Sequence, residues 1–168
     1  MEHLRIFNME WIIKSFSRAC AVSGVPFSDG DEVICFVCRG NDNDEVSRFD
    51  VLSINASRFH PNGKVIGQWK KKISSNLSKK IDFEQKLAYQ EEFFFSLYEG
   101  EESNEKDILK QLFALLLEKK RILRSFGRKN VQKQKFVHIK SKKEFLVPVK
   151  DFSPEDLTSL ENVFGMFA

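Results

Sequence analysis

The sequence predicts an α+β fold, with an N-terminal antiparallel sheet, central helices, and a C-terminal hairpin followed by a helix. Three patterns carry that expectation. β-rich runs separated by Gly, Asn and Asp turns fill the first third, apolar residues at helical spacing run through 83–126, and two alternating runs precede a capped amphipathic segment at the end. The chain has 168 residues, of which 42% are hydrophobic and 17 are Phe, enough apolar surface for one compact core. We therefore expect a single domain over 1–168, with a sheet-rich part at 1–63, a basic connection at 64–80, and a helical core with terminal hairpin and helix at 81–168.

Trp11–Phe16 is the first expected strand, Gly30-Asp31 a turn, Glu32–Arg39 the second strand, and Gly40–Asp44 a polar hairpin connection. Val46–Ile54 is the third. The chain turns again at Asn62-Gly63, and Val65–Trp69 leads into Lys70, Lys71 and Lys72 and a Ser/Lys-rich stretch to Lys80 that reads as a solvated connection. Phe83, Leu87, Phe94, Leu97 and Tyr98 keep helical spacing up to Gly100. Ser103 or Asn104 can cap a second helix, with Glu105 and Asp107 in its positive first turn. Its apolar stripe extends from Ile108 to Phe126, with Gly127 as a stop, so this is the expected central core helix. Phe136–Ile139 and Phe145–Val149 read as a hairpin with Pro148 marking an edge. Ser153, Pro154, Glu155 and Asp156 open a last helix, whose face is Leu157, Leu160, Phe164 and Phe167.

Three cysteines in a long chain are an odd, sparse set, so reduced thiols and a cytoplasmic location are expected. Cys35-Phe36-Val37-Cys38 has the spacing of a zinc or redox pair but lies inside a strand, where residues three apart face opposite ways. Both read as small buried hydrophobes. Cys20-Ala21-Val22-Ser23-Gly24 has the shape of a zinc-ribbon knuckle in which Ser23 stands where a second cysteine would. With that ligand replaced, a metal-free ribbon is expected, and neither metal nor cofactor is assigned.

Charge is arranged in blocks. Residues 64–80 hold 6 basic and 0 acidic residues, 81–109 hold 2 and 9, and 110–143 hold 12 and 1, although the whole chain is only +3. Such blocks suit either an internally complementary surface or a face kept for a charged partner. The candidate binding residues are Lys119, Lys120, Arg121, Arg124, Arg128, Lys129, Lys133 and Lys135, together with Lys70, Lys71, Lys72 and Arg48. Arg48-Phe49-Asp50 places two opposite charges on one side of a strand, about 7 Å apart along it, as an ion pair or as an anion grip held by Asp50.

Trp11, the run Arg18–Gly24, Phe27, Gly30-Asp31, Arg48–Asp50, Trp69-Lys70 and the run Phe113–Leu123 together resemble an uncharacterised family of small bacterial proteins found among planctomycetes, verrucomicrobia and chlamydiae. The resemblance spans most of residues 11–123. It implies a bacterial origin and a fold with a degenerate zinc-ribbon-like N-terminal part, and it carries no activity.

The eight glycines are scattered, so neither phosphate-loop nor dinucleotide pattern is present. No His-x-Asp/Glu element marks an iron site, and adjacent Glu91 and Glu92 diverge by about 100° on a helix, unlike a catalytic pair. Cys20 with His60 or His138 is the sole candidate nucleophilic pairing. No apolar run reaches the roughly 18 residues of a spanning helix, and the acidic start lacks a cleavage site, so no membrane association is expected. The expected function is a non-enzymatic intracellular binding or adaptor protein using the Lys119–Lys135 surface for an acidic protein partner or for self-association. The alternative is nonspecific nucleic-acid binding through that surface and Lys70–Lys72, and an enzyme with a cryptic site comes third.

Overall fold

A computed structural model describes residues 16–42, 46–74, 83–127 and 132–151. The elements are β1 (Glu32–Gly40), β2 (Val46–Leu52), a 3-10 helix (Ser53–Arg58), β3 (Gly63–Lys72), α1 (Phe83–Ser96), α2 (Asn104–Lys119), β4 (Leu123–Phe126), β5 (Lys133–His138) and β6 (Glu144–Pro148). They form two antiparallel three-stranded sheets, ordered β2-β1-β3 and β4-β5-β6, so the fold is α+β. The described residues divide into two compact units, one up to residue 89 and the other residues 90–151, and α1 spans the division.

In the first unit β1 is the central strand, and its β-rich segment Val33–Cys38 is covered on both faces. One face gathers Phe36, Cys38 and Val51 with Cys20, and Phe27, Phe49, Leu52 and Phe59 pack around them. Phe36 and Phe59 stack with ring centroids 4.7 Å apart. The opposite face carries Cys35, Arg48, Asp50 and Trp69, which the register of Cys35 against both Asp50 and Trp69 brings together. The 16–31 segment is tied back to β3 by Gly30 donating to Ile73 and Ile73 donating to Asp31.

Two expectations for this unit change. β2 ends at Leu52, and the chain turns through the 3-10 helix with Ile54 exposed, because the Leu52 backbone N–H and the Asn55 side chain both turn toward Cys20 Sγ. Lys70, Lys71 and Lys72 belong to β3, opposite Ile34, Val33 and Glu32. An edge strand tolerates them because the exposed heads of Lys70 and Lys72 reach solvent while the backbone completes the ladder, whereas Lys71 is half-buried. The expected strand Trp11–Phe16 lies outside the described residues except for Phe16, and the connection from Ser75 to Lys80 lies outside them entirely.

In the second unit Ser103 caps α2, its hydroxyl accepting from Lys106 N–H at 3.3 Å, and Gly100 adopts the left-handed φ of 72° expected of a stop after α1. Phe94, Phe95 and Tyr98 close on Phe145 of β6, with ring centroids 5.1, 5.3 and 5.0 Å away. Phe93 packs on Phe113 of α2. Leu109, Phe113 and Leu117 complete the buried stripe, whereas Leu115 is 49% exposed.

The long core helix is shorter than its apolar pattern suggests. Arg121 takes a left-handed φ of 61°, its N–H donates to Glu118, and Ile122 N–H donates to Leu117. Those two bonds form a Schellman stop, which usually recruits glycine but here uses arginine. Ile122, Leu123 and Phe126 are therefore not helical, and Leu123–Phe126 forms the edge strand β4. The hairpin β5-β6 forms as expected, with Pro148 on the outer strand of the sheet. The terminal helix expected from Ser153 onward lies outside the described residues.

Candidate functional site

The Arg48–Asp50 pair is an internal structure rather than an open grip. Arg48 Nε donates to Asp50 Oδ1 at 2.8 Å with the two side chains 2% and 1% exposed, and Asp50 Oδ2 accepts from Ser17 N–H at 2.8 Å. The guanidinium lies over Trp69 at 5.0 Å and over Phe16 at 5.3 Å, so two aromatic faces supply the cation with the stabilisation that water would give. Its Nη2 also reaches Cys35 Sγ at 3.5 Å. Burial and then the Asp50 carboxylate push the Cys35 thiol far up, so it is inert at neutral pH. Lys71 places its ammonium 4.0 Å from the Phe16 centroid, and burial followed by the Arg48 charge lowers its pKa.

Cys20 sits in the expected tight turn. Gly24 N–H donates to the Cys20 carbonyl at 2.8 Å, and Gly24 takes φ 71°. Burial works to raise this thiol's pKa, but hydrogen bonds from the Ser23 hydroxyl and from the Ser23, Leu52 and Val22 backbone outweigh it, and the value falls to about 7. For Cys38, burial carries the thiol up to about 12. All three cysteines are free and buried. Among the described residues no three His, Cys, Asp or Glu side chains gather closely enough to hold a metal ion.

His60 is exposed beyond the 3-10 helix, while His138 is buried in the second unit. His138 Nδ1 accepts from Ser141 N–H at 3.1 Å and lies 2.6 Å from Ser141 Oγ. With Nδ1 accepting, the neutral ring carries its proton on Nε2, which faces Glu91 Oε1 at 2.8 Å. The order Glu, His, Ser has the outline of a proton relay. Here, however, backbone and hydroxyl of the same serine compete for one imidazole lone pair, an arrangement that fastens the hairpin turn. Sequence spacing gives no hint of it, because Glu91 comes from α1 and Ser141 from the turn.

The basic candidates separate by position. Lys119 ends α2, Lys120 is its C-cap, and Arg121 forms the left-handed turn; all three are exposed. Arg124, Lys133 and Lys135 share the outer face of the β4-β5-β6 sheet, as the pairing of Phe126 with Lys135 and of Lys135 with Leu146 requires. Arg124 lies 5.4 Å over the ring of Phe126, which is 46% exposed, and Lys135 pairs with Glu144 at 2.7 Å. Phe136, the other aromatic in this stretch, points inward and is buried. The β5-β6 turn adds exposed Lys140, Lys142 and Lys143, which the basic block contains but the candidate set omits. Arg128 and Lys129 lie outside the described residues. Lys70 pairs with Glu32 at 3.5 Å, and Lys72 is exposed. No helix among the described residues is long and apolar enough to cross a membrane. No protein-family profile, no curated protein and no solved structure matches this chain.

Proposed function

We propose that this chain is a non-enzymatic binding or adaptor protein of the bacterial cytoplasm that engages an acidic, partly apolar protein partner through the outer face of its second sheet. The observation that carries the reading is the composition of that face: Arg124, Lys133 and Lys135 surround exposed Phe126 and Leu146 on one sheet surface. Glu144 shares this face and pairs with Lys135, so Arg124 and Lys133 supply its net positive charge; an apolar centre bordered by such an excess suits a surface that binds, since the apolar part supplies affinity and the charges supply orientation and rate. Lys119, Lys120 and Arg121 extend the positive field at the start of β4. Reduced thiols at Cys20, Cys35 and Cys38 support the cytoplasmic location.

The test is a cross-linked pull-down from the native cell with the wild type and with Arg124→Glu/Lys133→Glu. A partner captured by the wild type, lost from the double variant and indifferent to nuclease supports the reading; identical capture by both chains overturns it.

Nonspecific single-stranded nucleic-acid binding is the second reading, favoured by the Arg124 guanidinium beside the exposed Phe126 ring. A random oligonucleotide titrated at about 50 mM salt separates it, because phosphate-driven affinity is strongest there. Absence of binding removes this reading.

For the N-terminal part we retain the metal-free ribbon. Its support is the Cys20–Ser23 turn against Leu52 and Asn55, which offers one thiol, one hydroxyl, one aliphatic chain and one amide in place of four zinc ligands. Stoichiometric zinc in the purified protein would overturn it.

A further inference from the structure

The turn between α1 and α2 gathers negative charge on a preformed loop. Glu99, Glu101 and Glu102 are all exposed there. The backbone that carries them is fixed from the inside: Gly100 takes its left-handed φ, the buried Lys106 ammonium donates to the Glu99 carbonyl, and Lys110, also buried, holds Glu102 Oε2 at 2.6 Å. Tyr98, half-buried, leads into the turn and donates its hydroxyl to the Leu146 carbonyl at 3.1 Å, at the edge of β6. An acidic loop with an aromatic ring at its base is thus held in one shape, so binding it costs little ordering.

That composition is the counterpart of the sheet's outer face, where Phe126 and Leu146 are exposed and Arg124 and Lys133 supply the net positive charge. Both helices cover the other side of the sheet, α1 through Phe94, Phe95 and Tyr98 on Phe145, and α2 through Gln111 on the Lys150 backbone. Side chains alternate between the two surfaces of a strand, so Arg124 and Lys133 point away from the helices and from the turn that joins them. Turn and face of one chain are therefore turned apart, and each is left to act on another molecule.

We propose that the outer face binds the α1–α2 turn of a second copy of this chain, with Glu99 and Glu101 against Arg124 and Lys133 and with Tyr98 supplying the apolar contact. The inference rests on the outer-face reading and names its acidic, partly apolar partner. Face and turn are different surfaces, so the contact is heterologous: each bound copy still offers a turn and a face, and assembly continues into a ring or an open chain. One loop on a sheet face buries less than the roughly 1,200 Å² of a stable complex, which makes the association weak, transient and sensitive to salt.

The test is sedimentation of the full chain at hundreds of micromolar in about 50 mM and about 500 mM salt, since exposed charges are screened far more strongly in the second. The wild type is expected to form concentration-dependent oligomers at the lower salt and to lose them at the higher. Arg124→Glu/Lys133→Glu and Glu99→Lys/Glu101→Lys should each be monomeric alone, and their equimolar mixture should associate again, because each altered surface then meets its opposite charge. Asp42→Lys/Glu84→Lys makes the same change in net charge as the turn variant at exposed sites of the first unit, and it should associate as the wild type does. A wild type that is monomeric at the lower salt, association indifferent to salt, a mixture no heavier than its components, or loss of association in the Asp42/Glu84 variant each overturns the proposal. Association lost in the face variant but kept in the turn variant removes the turn as occupant and leaves the outer face a binding surface. A monomeric wild type whose pull-down partner is still lost with Arg124→Glu/Lys133→Glu does the same, so the two readings fail separately.

Discussion

Arg48 donates through Nε to Asp50 Oδ1 across 2.8 Å, and the two side chains are almost wholly withdrawn from water. Residues two apart on a strand share a face, so the pairing follows from local geometry, but its burial follows from Trp69 and Phe16 closing over the guanidinium.

Removing only the carboxylate leaves a buried cation uncompensated. Asp50→Ala should therefore cost about 3–5 kcal/mol in urea denaturation, whereas Arg48→Met/Asp50→Leu should cost clearly less than the two single changes added together. A loss below about 1 kcal/mol for Asp50→Ala would show that solvent reaches the pair.

Cys20 predicts a pH dependence. Its folded pKa is lowered to about 7 from an ordinary 9.0. Between those values the unfolded chain binds more protons, so this group's contribution to stability rises with pH, is complete above 9.0, and is lost as pH falls through about 7. Ser23→Ala removes the side-chain donor and should move the thiolate absorbance midpoint upward while flattening the stability profile across that window. An unchanged midpoint would mean that the hydroxyl does not hold the thiolate.

Arg121 stops α2 in a conformation that costs an L-residue about 1–2 kcal/mol. Arg121→Gly should thus stabilise the protein by up to about 1 kcal/mol, part of the gain being offset by the greater freedom of glycine when unfolded. At the other end of the helix, Ser103→Ala should destabilise by about 1 kcal/mol. Thermal melts of the two variants should shift in opposite directions, and a shared direction would contradict the two assignments.

Gly63 opens β3 at φ 154°, where an added Cβ would stand 1.8 Å from the Arg39 carbonyl oxygen. Backbone cannot yield as a flexible side chain can, so Gly63→Ala should cost about 1–3 kcal/mol or more. A neutral result in urea denaturation would place β1 and β3 farther apart than the ladder requires.

Local patterns were enough for the α+β class, for β1, for a cap at Ser103 or Asn104 with its acidic first turn, of which the structure takes Ser103, and for the β5-β6 hairpin, because alternation, capping and turn chemistry act within a few residues. They failed where one residue departs from its usual habit. Arg121 stands where a Schellman stop ordinarily has glycine, so the apolar stripe continued past it, and Leu123–Phe126 read as helix although backbone bonding makes it a strand. Lys70–Lys72 read as a solvated connection because charge is visible in sequence and a free edge of β1 is not.

The sequence by itself determined which residues are charged, which segments favour strand or helix, and that no familiar catalytic motif is present. Tertiary structure alone decided that Arg48 is enclosed while Arg124 is exposed, and that Phe126 faces outward while Phe136 is buried. The reason is physical: propensity is written in neighbours along the chain, whereas solvent exposure and hydrogen-bond satisfaction depend on groups tens of residues away that arrive only when the sheets and helices pack.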